Sequence, residues 1–264
     1  MVDPPRFRLY NGTCLLPGER LSMRTSLSRS LTAAVLLTGV AFAVPSFAQT
    51  ADEIVARNIE AKGGAARLKE TTSVRTSGTG TMQGAEVAIQ TLTKRPHFVR
   101  NEMTLAGQKM VQGFDGETLW MMAPGMPAQA LPQGPQTEAF KQSSQIDSPL
   151  VDYKAKGTTI QLGEPLNDEG KRLHHLIVTP KTGPAMHYYI DPETHLESRM
   201  VMDIDEGGQQ MKMELRFSDY KTIDGRTTPF TITQFVNGNQ MGQMKFEKIE
   251  FNVPLDDSLF KMPK

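Results

Sequence analysis

A mainly β architecture with two short helices is the fold class this sequence predicts, its strands forming one large curved antiparallel sheet or a barrel. Three observations carry that expectation. Apolar and polar residues alternate with period two over most of residues 72–252, the spacing of half-buried strands. Gly, Asp and Asn punctuate the alternation at short intervals, as tight antiparallel turns require. Helical spacing is confined to the segment that opens at Ala51 and to a second one after residue 135.

The chain first presents a targeting signal. From Met23 the sequence MRTSLSRSLTAAVLLTGVAFAVPSFAQT carries Arg24 and Arg29 in a basic leader, an apolar run from Leu31 to Val44, and then Pro45. Ser46 and Ala48 occupy the small-residue positions that precede a signal-peptidase cut. Residues 23–48 are therefore expected to be a cleavable signal peptide, and Gln49 the first residue of the exported chain. The apolar run falls short of the roughly 20 residues a bilayer span needs, and no stop-transfer segment follows it. Residues 1–22 precede a complete signal sequence and have no pattern of their own, which points to Met23 as the true start. Residues 49–264 are expected to form one domain, a size at which a single β domain still holds one core.

Asp52, Glu53, Ile54, Val55, Ile59 and Leu68 place apolar residues on one helical face, with acidic residues in the first turn where the helix dipole favours them. Gly63 and Gly64 interrupt this helix, so a bend and one further turn to Lys69 are expected. The second helix is placed at residues 136–145, after the stretch APGMPAQALPQGP, which reads as a surface loop.

Strands are expected at residues 72–82, 85–94, 97–105, 108–115, 117–123, 157–164, 172–180, 185–191, 194–205, 210–220, 228–237 and 240–252. The clearest hairpin is MVMDIDEGGQQMKMELRF. Met200, Met202 and Ile204 share one face of its first strand, and Met211, Met213, Leu215 and Phe217 repeat that face beyond the turn at Gly207 and Gly208. One side of the hairpin is thus a nearly continuous thioether and aliphatic surface.

Composition narrows the function. The whole chain is electrically neutral, but five basic and two acidic residues lie before the expected cut, leaving 24 basic against 27 acidic and a net charge of −3. Such a domain has no electrostatic footprint for nucleic acid. The single cysteine, Cys14, lies in the leader. The exported product is therefore expected to have no disulfide, no thiolate nucleophile and no lipid-bearing cysteine at its new N-terminus. Fourteen methionines fall after the cut, and their flexible, polarisable side chains suit either a cavity for variable apolar ligands or ordinary core filling.

Few residues offer chemistry. His97, His174, His175, His187 and His195 invite a metal reading, but adjacent strand residues face opposite sides, so His174 and His175 cannot serve one centre without a bulge. Cross-strand pairing would have to bring one of them to His187 or His195. Asp115-Gly116, Asp191-Pro192, Asp224-Gly225 and Asp256-Asp257 are turn signals before they are carboxylate pairs. No G-x-S-x-G elbow, P-loop, dinucleotide fingerprint or HExxH occurs. No catalytic residue, metal site or cofactor is expected. Arg95, Arg100, Trp120 and Tyr153 are candidates for a pocket mouth, an arginine to pair with an anionic head group and a tryptophan to cap an apolar cavity.

The order of several segments resembles the LolA/LolB-like family, in particular the group described as outer-membrane lipoprotein-sorting proteins. These segments are ADEIVARNIEAKGG, KRP at the third strand, FDGETLWMM, SPLVDYKAKG, YYIDPETHL, FSDYKTIDGRTTPF and NVPLDDSLFKMP. The resemblance implies an unclosed, strongly curved antiparallel β-barrel around a hydrophobic cavity, with helices as plug or lid. It implies a periplasmic carrier for lipids or lipoprotein acyl chains, acting as a monomer in envelope lipoprotein sorting. The cavity lining expected from the sequence is Met200, Met202, Ile204, Met211, Met213, Leu215, Phe217 and Trp120. Two other readings stay open: a periplasmic sensor that binds an envelope membrane protein, and a metal-dependent hydrolase using His174, His175 or His187.

Overall fold

Among the described residues fourteen strands pair antiparallel in an unclosed sheet. A computed structural model describes residues 49–134, 137, 140, 141, 144–206 and 209–263. The upstream segment 1–22, the segment 23–48 expected to be a signal peptide and the hairpin tip at Gly207 and Gly208 lie outside the described residues. Helices α1 (Ala51–Ala61) and α2 (Ala65–Lys69) precede β1 (Ser73–Met82), β2 (Ala85–Lys94), β3 (Phe98–Leu105), β4 (Gln108–Asp115), β5 (Leu119–Met122) and β6 (Gln129–Ala130). Then come β7 (Thr159–Leu162), β8 (Leu166–Asp168), β9 (Lys171–Thr179), β10 (Met186–Ile190), β11 (Glu197–Glu206), β12 (Gln209–Ile223), β13 (Arg226–Val236) and β14 (Asn239–Phe251). A 3₁₀ turn, Asp257–Phe260, closes the chain.

The spatial order β6-β5-β4-β3-β2-β1-β14-β13-β12-β11-β10-β9-β7 puts the first and last strands side by side in the middle, and β8 pairs with β9. The sheet's edges are β6 and β7. The chain between them, residues 131–158, links the two edges of an open sheet. Within it Thr137, Phe140 and Lys141 are helical, inside the second helix expected at 136–145, whereas Ser144 and Gln145, also inside that expected range, are not helical.

Turn chemistry explains the regularity of the meander. The two-residue turns Gln83-Gly84, Ala106-Gly107, Glu169-Gly170, Asp224-Gly225 and Asn237-Gly238 have positive φ at both positions, the geometry whose twist matches that of paired strands. Register shifts fall between Ser77 and Gly78 and between Gln234 and Phe235, both against β14, and between Tyr189 and Ile190 against β11, and each bends its strand locally. At the first of these a Cβ on Gly78 would sit 2.1 Å from the Lys245 carbonyl oxygen. Only glycine lets β14 fold so closely over β1.

Thr50 caps α1 in a reciprocal box: its hydroxyl accepts from the Glu53 amide at 3.2 Å, and Glu53 Oε2 accepts from the Thr50 amide at 2.9 Å. Ile54 and Val55 then pack on Leu176 and Val178 of β9, Tyr188 and Ile190 of β10, and Leu150. This makes α1 a plug on the inner face of one half of the sheet. A second cluster joins Leu92, Leu255 and Phe260, with Phe98 against it, where the C-terminal segment returns across the outer face of the other half.

Two short strands were not foreseen. The stretch read as a surface loop contains β6, and β8 falls in the gap between the strands expected at 157–164 and 172–180; both are too short for alternation to register. The β12–β13 hairpin runs further toward its turn than expected because Asp224-Gly225 turns the chain in two residues.

Candidate functional site

Period two along the β11–β12 hairpin places its apolar residues in register. Met200 lies opposite Leu215, Met202 opposite Met213, and Ile204 opposite Met211. Neighbouring strands extend the same face: Tyr188 lies opposite Met200 and Met186 opposite Met202. On the other flank Ile232 lies opposite Phe217, Val236 opposite Met213, and Met244 opposite Ile232. Directly opposed residues share a face, so this is one apolar surface on the inside of the curve.

Between that surface, the α1–α2 junction and residues 146–149 lies a cavity of about 400 Å³, within the roughly 300–1,000 Å³ usual for small-molecule sites. Its apolar wall is made by Val74, Ile146, Met200, Phe217, Ile232, Phe246, Ile249 and Phe251. Its polar end holds Lys62, Thr71, Glu197, Tyr220 and Arg226. A second hollow of about 330 Å³ adjoins it, sharing Val74 and Ile146; Thr91, Thr93, Val99 and Asn101 lie below it, with Phe140 and Ser144 above. Phe140 also meets Phe114 edge-on, ring centres 5.9 Å apart. Phe140 and residues 144–146 of the chain that links the sheet edges therefore lie over the inner face as a lid.

Of the residues expected to line a cavity, Met200 and Phe217 do so. Met202, Ile204, Met211, Met213 and Leu215 share their face but sit further toward the hairpin tip, half-buried and outside the cavity. Trp120 is placed elsewhere. It is wholly buried on the outer face, where its indole N–H donates to the Phe260 carbonyl at 2.7 Å and the C-terminal segment covers it. A Cβ on Gly113, opposite it in β4, would lie 2.2 Å from the indole ring. The sequence shows an aromatic in a strand, but which face it takes is decided by a segment 140 residues away.

The other pocket-mouth candidates are occupied within the protein. Arg95 grips both Asp147 oxygens at 2.6 and 2.8 Å and donates to the Thr71 carbonyl at 2.6 Å. Arg100 donates to Glu102 at 2.6 Å and to the Leu259 carbonyl at 2.9 Å. The Tyr153 hydroxyl donates to Asp52, which also pairs with Lys154.

The polar end was not anticipated, because its members come from distant segments that read as helix end, strand start and turn. Lys62 Nζ lies 2.7 Å from Glu197 Oε1. The Tyr220 hydroxyl donates to the Glu197 carbonyl at 2.8 Å and lies 3.4 Å from its Oε2. Burial opposes ionisation of Glu197, but the charge and hydrogen bond of Lys62 prevail and hold its carboxyl below the ordinary value. Burial pushes the Tyr220 phenol upward, and the Glu197 charge adds to it.

Among the histidines, His175 Nε2 and His187 Nδ1 are 2.8 Å apart, and His175 stacks on Tyr189 with ring centres 4.6 Å apart. Burial keeps the His175 imidazole below its ordinary pKa, as does the neighbouring His187, while the Glu164 carbonyl works against them. Among the described residues no group of three or more His, Cys, Asp or Glu is arranged to hold a metal ion.

No protein-family model matches the sequence, and no curated protein does. Solved structures share the fold. A DUF1329 family protein from Desulfovibrio piger has a TM-score of 0.55 at 15% identity, covering 81% of this chain and 98% of that one. An outer membrane lipoprotein-sorting protein domain from Vibrio parahaemolyticus has a TM-score of 0.52 at 12% identity, covering 80% and 95%. A LolA superfamily protein from Nitrosomonas europaea has a TM-score of 0.50 at 14% identity, covering 81% and 98%. Among the described residues no helix is long and apolar enough to cross a membrane.

Proposed function

We propose, from the LolA-like fold that this chain adopts, that it is a periplasmic carrier. It binds lipids or lipoprotein acyl chains in the cavity under α1 and the lid, acts in envelope lipoprotein sorting, and performs no catalysis. In this reading residues 23–48 direct export and are removed, and residues 49–264 work as a single monomeric domain. The observation that carries the reading is the apolar cavity on the inner face of an unclosed sheet, continued beyond its rim by the stripe of Met202, Ile204, Met211, Met213 and Leu215.

The physical rationale is transfer free energy. Each methylene removed from water contributes roughly 0.8 kcal/mol, so an acyl chain is held by the sum of many weak, non-directional contacts and released when the lid gives way. Methionine side chains adapt to chains of different length and branching better than stiff β-branched ones do.

Native mass spectrometry of protein purified from the periplasm tests the proposal, and it should resolve a bound species that organic extraction identifies as a lipid. Repeated isolation of ligand-free protein that also ignores fluorescent fatty acids would sink it. A stoichiometric membrane protein recovered in place of lipid would favour the sensor reading.

A further inference from the structure

One cation at the polar end of the cavity has no counter-charge. Lys62 is matched by Glu197 at 2.7 Å, and Asp147, the other carboxylate lining the cavity, is taken up by the fork of Arg95. Arg226 lines the same space with only 7% of its surface exposed. Its guanidinium is held by neutral groups: Nε donates to Thr71 Oγ1 at 2.7 Å, and the terminal nitrogens to the carbonyls of Asp224 at 3.2 Å and Arg67 at 3.0 Å. Its charged carbon lies 5.1 Å from the centre of the Phe251 ring. Among the described residues no carboxylate forms an ion pair with it.

A guanidinium cannot shed its proton, and burying one without an anion costs several kcal/mol. Its partners here are neutral dipoles and a ring face, none of which carries a compensating negative charge. Five N–H groups are available on an arginine, and not all of them are committed to these acceptors. Glu197, at the same end, is neutralised by Lys62 and does not oppose an incoming anion. Along β13 from Arg226 the lining turns apolar, through Pro229 to Ile232, with Phe217 opposite Ile232.

We propose that the cavity selects amphiphiles with an anionic head group, carboxylate or phosphate, received by Arg226 while the aliphatic chain lies along Phe217 and Ile232. This rests on the lipid-binding reading above and adds the head-group class. It also gives the ligand a direction, charged end at the α1–α2 junction and chain toward the hairpin.

The test holds the chain constant and varies the head. Delipidated protein is titrated by calorimetry at pH 8 with dodecanoate, dodecyl phosphate, 1-dodecanol and dodecyltrimethylammonium, each below its micellar concentration. Both anions should bind about tenfold or more tighter than the alcohol, and the cation more weakly than the alcohol. In Arg226→Gln the ratio of anion to alcohol affinity should fall toward one, and Arg226→Lys should restore part of it. Tighter dodecyl phosphate would assign the site to phosphate-headed lipids, and tighter dodecanoate to free fatty acids; either supports the proposal. Equal binding of anions and alcohol by the wild-type protein overturns the head-group assignment and leaves the lipid-binding reading standing. Binding of none of the four overturns both. Should Arg226→Gln not fold, the wild-type series decides alone.

Discussion

Lys62 reaches Glu197 with a 2.7 Å ion pair while its own carbonyl accepts the Thr227 amide at 3.1 Å, so one residue at the end of α1 fastens the plug to two different strands. Glu197 is buried, and its carboxyl is held below the ordinary range. A carboxyl with a depressed folded-state pKa adds stability that is present above its unfolded value of about 4.3 and is lost as pH falls through the folded one. The Glu197 contribution to the urea midpoint should therefore be level near neutrality and decline on acidification below about pH 4.3, beneath the earlier decline from about pH 6.5 that the depressed His175 imidazole adds. Glu197→Gln should remove this residue's share of the decline and lower stability at pH 7 by about 3 kcal/mol, because Lys62 keeps its charge and loses its partner. A Gln variant with wild-type stability at neutral pH would show that the pair is not what fastens the plug.

Trp120 is the only tryptophan of the chain, so its fluorescence reports one place, the C-terminal cover of the outer face. Saturating the cavity with dodecanoate should leave its emission maximum unchanged, since the ligand enters on the other side of the sheet. Trp120→Ala should cost about 3–5 kcal/mol through the void and the lost donor to Phe260, with amphiphile affinity preserved in the fraction that remains folded. A large ligand-induced shift of Trp120 emission would place binding on the outer face.

The contrast between these residues marks what sequence reasoning reaches. Alternation identified the long strands and the shared face of Met200, Met202 and Ile204 with Met211, Met213 and Leu215, because side-chain period in a strand is fixed by the backbone. Alternation says only that two faces exist. Which one is inside follows from where α1 and the C-terminal segment return, and both returns are long-range. Trp120 fits an inner or an outer face equally well until Phe260 closes over it. Lys62, Glu197 and Arg226 have no local signature either, since each satisfies a helix-end, strand or turn pattern and they meet where the end of α1 returns to β11 and β13.

The apolar wall and the stripe beyond it should respond differently to charge. Met200→Glu puts a carboxylate into the cavity wall beside Tyr188 and should abolish binding of dodecanoate. Met213→Glu sits on a half-buried stretch outside the cavity and should change stability by no more than about 1 kcal/mol. It should leave dodecanoate binding intact but remove the gain expected for longer chains, about fourfold per added methylene at roughly 0.8 kcal/mol each. Affinities for the C12 to C18 carboxylates in the two variants check this, and equal losses at every length in Met213→Glu would deny the stripe a part in binding.

Arg95 and Asp147 form a two-pronged pair at 2.6 and 2.8 Å, and the same guanidinium holds the Thr71 carbonyl at 2.6 Å. Asp147 stands beside Ile146 and Ser148, which line the cavity, so the pair anchors the lid's trailing end to the turn between β2 and β3. Lysine in place of Arg95 preserves the charge but supplies a point donor where a planar fork was needed. Arg95→Lys should lower stability by about 1–2 kcal/mol. Its larger effect should be kinetic: with one prong gone the segment around residue 147 opens more often, and both association and dissociation of dodecanoate should quicken while the equilibrium affinity changes little. Amide hydrogen exchange over residues 144–151 should accelerate in step, with exchange in β9 to β13 unaltered. Unchanged exchange in that segment together with unchanged ligand kinetics would remove the pair from any account of how the cavity opens.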